Sequence, residues 1–306
     1  MAVFLMPKTK NSVSWTLASV ELRDAYTDFM LSRQAVNAAQ TTLDFYRYTA
    51  GIFLEWIEER GVTSPMEVTA RYVREYIAEL AGRGAADSTV WGHARAIKTM
   101  LRFWHNEGYI PSPVKYDLPK MGKKRLPVLD ADQLMQVVQA CDVRDRAIVL
   151  FMADSGLRRA EVCALNWGDV DIQSGLVKVK QGKGRKDRSA VVGATARRAL
   201  LAYRRTIEKR ADSDPLFQAK GGTRFTGSGL PTVFRRLSRG TGIHVTPHAL
   251  RRTFVILSLR ADMNLLALQS LLGHEDLSMV KHYAQMVDDD LLREHSKHSP
   301  VDRLKG

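Results

Sequence analysis

A chain of 306 residues with 45% hydrophobic content is long enough for two cores and too apolar for wholesale disorder. Its 46 Lys+Arg against 33 Asp+Glu leave a formal charge of +13, which attracts polyanions, nucleic acid being the commonest. Two cysteines, Cys141 and Cys163, support neither a disulfide framework nor a cysteine-based zinc site, and they suit a reducing cytoplasm.

The chain opens with one short apolar run, Val3 to Met6, too short for the core of a secretion signal. No stretch approaches the roughly 20 apolar residues that span a bilayer, so a soluble, cytoplasmic protein is expected. Residues 12–107 then read as helix after helix: Leu17–Arg33, Thr41–Arg60, Thr69–Ala81 and Ser88–Asn106. In the second, Leu43, Phe45, Tyr46, Ile52, Phe53, Trp56 and Ile57 recur at helical spacing before Gly61; in the fourth, Val90, Ala94, Ile97, Leu101 and Trp104 share a face. These sum to an all-α bundle. Residues 108–128 change texture, with Pro111, Pro113, Pro119 and Pro127 among Lys115, Lys120, Lys123, Lys124 and Arg125. Proline density makes this an extended linker, and its charge suits a strap along a phosphate backbone, for which Lys120, Lys123, Lys124 and Arg125 are the candidates.

A second domain is expected over residues 129–290. Asp130 caps a helix through Ala140, Arg144–Ala153 forms the next, and Ser155-Gly156 breaks the chain before Arg158–Leu165. Leu176–Lys180 and Arg188–Val192 make a hairpin whose tip, Gln181 to Asp187, is glycine-rich and cationic. Helices return at Ala194–Arg210, Gly229–Arg239, Pro247–Arg260, Leu265–Leu272 and Ser278–Gln285. The fold class is mainly α with a small antiparallel β-sheet: a helical N-terminal bundle plus a mixed α+β domain. No internal repeat or low-complexity tract is visible.

Four segments carry residues suited to chemistry. Thr246-Pro247 is a good N-cap and first helical residue, and it sets His248 and Arg251 on one face of a first turn, where free N–H groups and the helix dipole favour a phosphate. Arg158 opens a helix after Gly156, with Glu161 three residues on, placed to hold the arginine or cap the helix. Lys183 sits between glycines at the hairpin tip, free to swing, and the loop lacks the Gly-Lys-Ser/Thr of an ATPase phosphate loop. Gly273 ends a helix so that His274 emerges from a rigid element, with Tyr283 on the next helix. Histidines 244, 248, 274 and 282 invite a metal, but no His-Glu-x-x-His pair or cysteine partner supports one, and none is expected.

Taken together, Arg158 in SGLRRAEVCAL, Lys183 in QGKGRKDR, His248 and Arg251 in TPHALRRTF, His274 in LLGHEDLS and Tyr283 in VKHYAQ stand in the order seen in tyrosine recombinases of the phage integrase family. The nine-residue step from His274 to Tyr283 is similar to that family too. The resemblance is strong from Leu129 to Gln285; the helical N-terminal domain resembles the family's core-binding domain in layout only. The end of the chain, from Asp288-Asp289-Asp290-Leu291 through Ser299-Pro300-Val301-Asp302, looks like the tails of the chromosome-dimer resolvase branch, with residues 291–306 as the docking tail. One departure is Ser155, where the family often has threonine.

The resemblance implies a site-specific recombinase whose two domains clamp duplex DNA. Tyr283 attacks a phosphodiester, forming a 3′-phosphotyrosyl link and freeing a 5′-hydroxyl. Arg158 and Arg251 hold the non-bridging oxygens, His248 accepts the phenol proton, His274 donates a further hydrogen bond and Lys183 protonates the leaving oxygen. Neither ATP, a divalent metal nor another cofactor is needed. The resemblance further implies four protomers on two DNA sites, with the tail docking on a neighbour, and it leaves open an accessory protein or related recombinase as partner. Two other readings stand beside it: strand passage of the type IB topoisomerase kind, and a non-catalytic DNA-binding architectural protein.

Overall fold

In the computed structural model, which describes residues 20–122, 127–180, 187–208, 210–225 and 229–273, the chain divides into two units, Met1–Lys124 and Arg125–Gly306. Each has its own apolar core. Among the described residues no helix is long and apolar enough to cross a membrane.

The first unit begins with α1, Leu22–Ala35, which buries Leu22, Ala25, Phe29 and Met30 at helical spacing. The run predicted as one helix over Thr41–Arg60 is instead two arms, α2 (Gln40–Tyr46) and α3 (Ile52–Glu58), joined by a π-helical turn at Arg47–Gly51. The Thr49 hydroxyl donates to the Phe45 carbonyl at 2.6 Å, the acceptor that a regular helix gives to the Thr49 N–H. Helices α4 (Ala70–Gly82) and α5 (Asp87–Asn106) complete the bundle. The wholly buried Trp104 ties α5 to α1 by donating its indole N–H to the Ala25 carbonyl at 2.9 Å.

Residues 111–122 contain neither helix nor strand, as their prolines dictate. They are nonetheless anchored: Ile110 and Tyr116 are buried in the first core with Val114 and Leu118 packed against it, and the Tyr116 hydroxyl donates to Ala94 at 2.7 Å. Lys120 is exposed. Lys123, Lys124 and Arg125 lie outside the described residues.

In the second unit, Asp130 and Gln133 form a reciprocal capping box at the start of α6, Ala131–Gln139. Helix α7, Val143–Ser155, is capped by Asp142 and buried on nearly all sides by Ala147, Ile148, Val149, Phe151 and Met152, which makes it the central helix. Short α8 (Arg159–Ala164) precedes the antiparallel pair β1 (Leu176–Val179) and β2 (Arg188–Val191), registered Leu176 opposite Val191 and Val179 opposite Arg188. Helix α9, Ala194–Arg204, packs on α7 and stops short of the predicted Arg210. There Thr206 gives both its N–H and its hydroxyl to the Tyr203 carbonyl, and Arg204 and Arg210 bond each other's carbonyls, so the chain folds back. Helices α10 (Gly229–Thr241), α11 (Pro247–Arg260) and α12 (Leu265–Leu272) close the described part. The helix predicted at Ser278–Gln285 and the tail 291–306 lie outside it. The architecture is mainly α with one small antiparallel sheet, as the sequence predicts.

Candidate active site

The site is organised by the turn that ends α7. Gly156 closes that helix in the left-handed region, at φ +59°, and a Cβ there would overlap the Phe254 ring of α11. Only glycine lets the chain pass so close to α11 and deliver Arg158 as the N-cap of α8. Arginine has no acceptor with which to cap a helix. Glu161 supplies it: one carboxylate oxygen accepts the Arg158 N–H at 2.7 Å and the other accepts its guanidinium at 3.0 Å. The glutamate thus does both things its spacing allows.

Across the turn, Thr246 accepts the Ala249 N–H at 3.0 Å and Pro247 occupies the first helical position of α11, which places His248 and Arg251 in its opening turn. Arg251 is only 6% exposed. It donates to the Gly156 carbonyl and, at 3.0 Å, to the Leu272 carbonyl at the end of α12. One guanidinium therefore joins the turn before Arg158, the first turn of α11 and the residue next but one to His274. Arg252 donates to the Pro127 carbonyl at 3.0 Å, and the Leu129 N–H to the Thr253 hydroxyl at 2.9 Å, which fixes α11 to the start of the unit.

His248 remains open to solvent on one side. Its pKa lies below the usual 6.5, first because the imidazole loses part of its hydration at the wall of the site, then because Arg252, Arg251, Arg159 and Arg158 all bear positive charge nearby. The unprotonated ring, a proton acceptor, is the form this environment favours. Beside it, a cavity of about 480 Å³ between α10 and the start of α11 is lined by Arg159, Arg235, Arg239, His244, Thr246 and His248, with Phe234 and Pro247 as apolar wall. Such a concentration of cations around a helix N-terminus suits a polyanion's phosphates.

Of the residues proposed from sequence, the structure brings together Arg158, Glu161, His248 and Arg251. Lys120 belongs to the other unit. Lys183, His274 and Tyr283 fall outside the described residues. Sequence reasoning missed Arg188, which donates to Glu161 at 2.8 Å, and the cavity arginines Arg159, Arg235 and Arg239; His244, weighed from sequence only as a metal ligand, lines the same cavity. A signal for Arg188 existed: it shares with buried Ala190 the inward face of a strand with period two, and a cation there calls for a carboxylate.

Residues 124–289 match the phage integrase family. Tyrosine recombinase XerA of Saccharolobus solfataricus is 29% identical over 284 residues, spanning 90% of this chain and 93% of that protein. Tyrosine recombinase XerC of Xanthomonas campestris pv. campestris is 30% identical over 254 residues, 80% of this chain and 78% of that one. Among solved structures, XerA recombinase superposes with a TM-score of 0.52 at 25% identity over 91% of this chain and 99% of that chain. The Tn1549 transposon integrase in complex with circular intermediate DNA gives 0.75 at 18% identity over 92% and 100%, a likeness of fold.

Proposed function

Because the chain belongs to the phage integrase family and is a tyrosine-type site-specific DNA recombinase, we propose that it breaks and rejoins DNA through a 3′-phosphotyrosyl intermediate at Tyr283. A phenol with a pKa near 10 needs a proton acceptor or a cationic field to attack at neutral pH. His248, held unprotonated by its surroundings, takes that proton. Arg158 and Arg251 hold the non-bridging oxygens of the scissile phosphate and stabilise the charge that grows on them as the P–O bond forms. Their forks are oriented in advance, one by Glu161 and the other by the Gly156 and Leu272 carbonyls, so little reorganisation accompanies the reaction. His274 adds a hydrogen bond to the same phosphate, and Lys183 gives its proton to the departing 5′-oxygen. A 5′-hydroxyl from the partner strand reverses each step. The energy of the broken bond stays in the protein–DNA ester, so the exchange needs no external energy source.

The observation that carries this reading is the buried Arg251, whose two carbonyl bonds gather the Arg158 turn, the first turn of α11 and the approach to His274 around one position. The helical N-terminal unit and the basic residues Lys120, Lys123, Lys124 and Arg125 serve as the second arm of a DNA clamp. Four protomers act on two sites, with residues 291–306 docking on a neighbour; deletion beyond Asp290 is expected to weaken DNA-bound multimers.

The test is capture of covalent adducts from a pool of centrally nicked duplexes with randomised flanks. Wild type is expected to yield adducts, Tyr283→Phe none, and Arg158→Ala none while still binding DNA. Adducts that persist in Tyr283→Phe would overturn the assignment. Joining of two separate sites, against mere relaxation of supercoils, separates recombination from topoisomerase-like strand passage.

A further inference from the structure

We propose that Arg188 is a positioning residue for DNA cleavage, coupling the Arg158–Glu161 pair to the end of α12 and to the strand that follows the Lys183 loop. The inference rests on the cleavage reading above and assigns a role to a residue which that reading does not use.

Glu161 is shared between two cations. Its Oε2 accepts the Arg158 N–H at 2.7 Å and the Arg188 Nη2 at 2.8 Å, while its Oε1 accepts the Arg158 Nη1 at 3.0 Å. The side chains of Glu161, Arg188 and Arg158 are 8%, 13% and 23% exposed, so solvent screens their charges little. Without Glu161 the two guanidiniums would repel each other. Without Arg188 the carboxylate loses one of its three hydrogen bonds, and its hold on the Arg158 fork loosens.

The second contact of Arg188 is steric. Gly273 closes α12 at φ +64°, and a Cβ on it would overlap the Arg188 Cδ and Nε. The backbone that leads directly into His274 therefore lies against this side chain. Arg251 holds the neighbouring Leu272 carbonyl. Two arginines thus fix the end of α12, one by packing and one by a hydrogen bond.

The third link is the hairpin. Arg188 is the first residue of β2, immediately after the loop that contains Lys183. On the β1 side, Lys180 pairs at 2.6 Å with the buried carboxylate of Asp169. Both ends of the loop are thereby pinned by ion pairs to carboxylates of the core. Among the described residues, Arg188 Nη1 is buried without a hydrogen-bond partner, and the contacts that hold the side chain are those to Glu161 and Gly273. Burial, helped by the charge of Arg158, lowers its pKa below that of a free guanidinium despite the opposing pull of Glu161.

The experiment measures single-turnover cleavage at saturating DNA, DNA affinity and thermal midpoint for wild type, Arg188→Met, Arg188→Lys and Arg188→Ala, on a nicked duplex drawn from the adduct-forming pool. Arg188→Met keeps the apolar stem and is expected to bind DNA within about twofold of wild type yet cleave about a hundredfold more slowly, the scale of an ångström-sized misplacement. Arg188→Lys keeps charge and stem but not the planar fork, and is expected to fold as wild type and cleave roughly tenfold more slowly. Added guanidinium ion is expected to speed Arg188→Ala and not wild type, a response that a merely loosened fold does not give. Cleavage by Arg188→Met or Arg188→Lys at the wild-type rate, or lost only in step with DNA binding, overturns the inference alone. A wild type that forms no adduct overturns the proposed function and this inference together.

Discussion

Replacing Gly156 with alanine tests whether the turn between α7 and α8 organises the site. The residue sits at φ +59°, where a Cβ costs about 1–2 kcal/mol. The new methyl would also overlap two carbons of the Phe254 ring and press on a third, and that ring is buried in a cluster with Val255, Leu268 and Leu272. Overpacking of that kind costs about 1–3 kcal/mol. The sum, about 3.5 kcal/mol at its centre, lowers the melting midpoint of the second unit by roughly 7–14 °C for a body of this size. Gly240→Ala is the matched control: Gly240 lies within α10, without positive φ and with nothing near its added Cβ. That change removes a glycine from the last turn of the helix and is expected to raise stability by up to about 0.5–1 kcal/mol. Calorimetric or circular-dichroism melts of both variants make the comparison. Since the Gly156 carbonyl accepts from Arg251, Gly156→Ala is also expected to slow cleavage at temperatures where it is folded. If Gly156→Ala melted with wild type, or if both variants shifted in the same direction, the reasoning about this turn would be refuted.

Glu161→Gln removes the charge shared by Arg158 and Arg188 and leaves two largely buried cations facing each other, at a cost of about 3–5 kcal/mol in urea unfolding; an unchanged midpoint would contradict the shared-carboxylate geometry. The His248 ring is expected to titrate below 6.5 in NMR spectra of the free protein. Because the native state then holds this proton less tightly than the unfolded chain does, its contribution is full above about pH 6.5, falls as pH drops through that value and levels off below the native midpoint; a midpoint above 6.5 would show that the four arginine charges are offset by something else. Burial, with Asp145 and Asp142, pushes the Cys141 thiol up to about 12, so iodoacetamide at pH 8 is expected to spare it in the native protein and modify it in urea, as read by mass spectrometry. Equal labelling in both would place Cys141 outside the core.

What was legible in the sequence is what local chemistry decides. Thr246-Pro247 starts α11, Gly273 ends α12, Asp130 caps α6 and Arg158 meets Glu161 within one turn, all from residues a few positions apart. Contacts between distant segments were not legible. Arg251 reaches the Gly156 carbonyl 95 residues earlier and Arg188 reaches Glu161 27 residues earlier, and neither acceptor announces its partner. The π-turn at Arg47–Gly51 escaped because the apolar stripe that runs through it keeps helical spacing, so periodicity does not register the extra residue. Tyr116 looked like part of a strap because four prolines surround it, yet its ring belongs to the first core. Lys183, His274 and Tyr283 owe their roles to family resemblance, since no local geometry distinguishes a solvated lysine or tyrosine from a reactive one.

The most direct measurement is the identity of the residue that carries DNA. Protein trapped on a nicked duplex is digested with nuclease and protease, and the modified peptide is sequenced by mass spectrometry. The account requires a nucleotide linked through its 3′-phosphate to the phenolic oxygen of Tyr283, with the yield collapsing when Arg158 is replaced. A linkage on any other side chain, or DNA cleaved with no covalent protein at all, would contradict it.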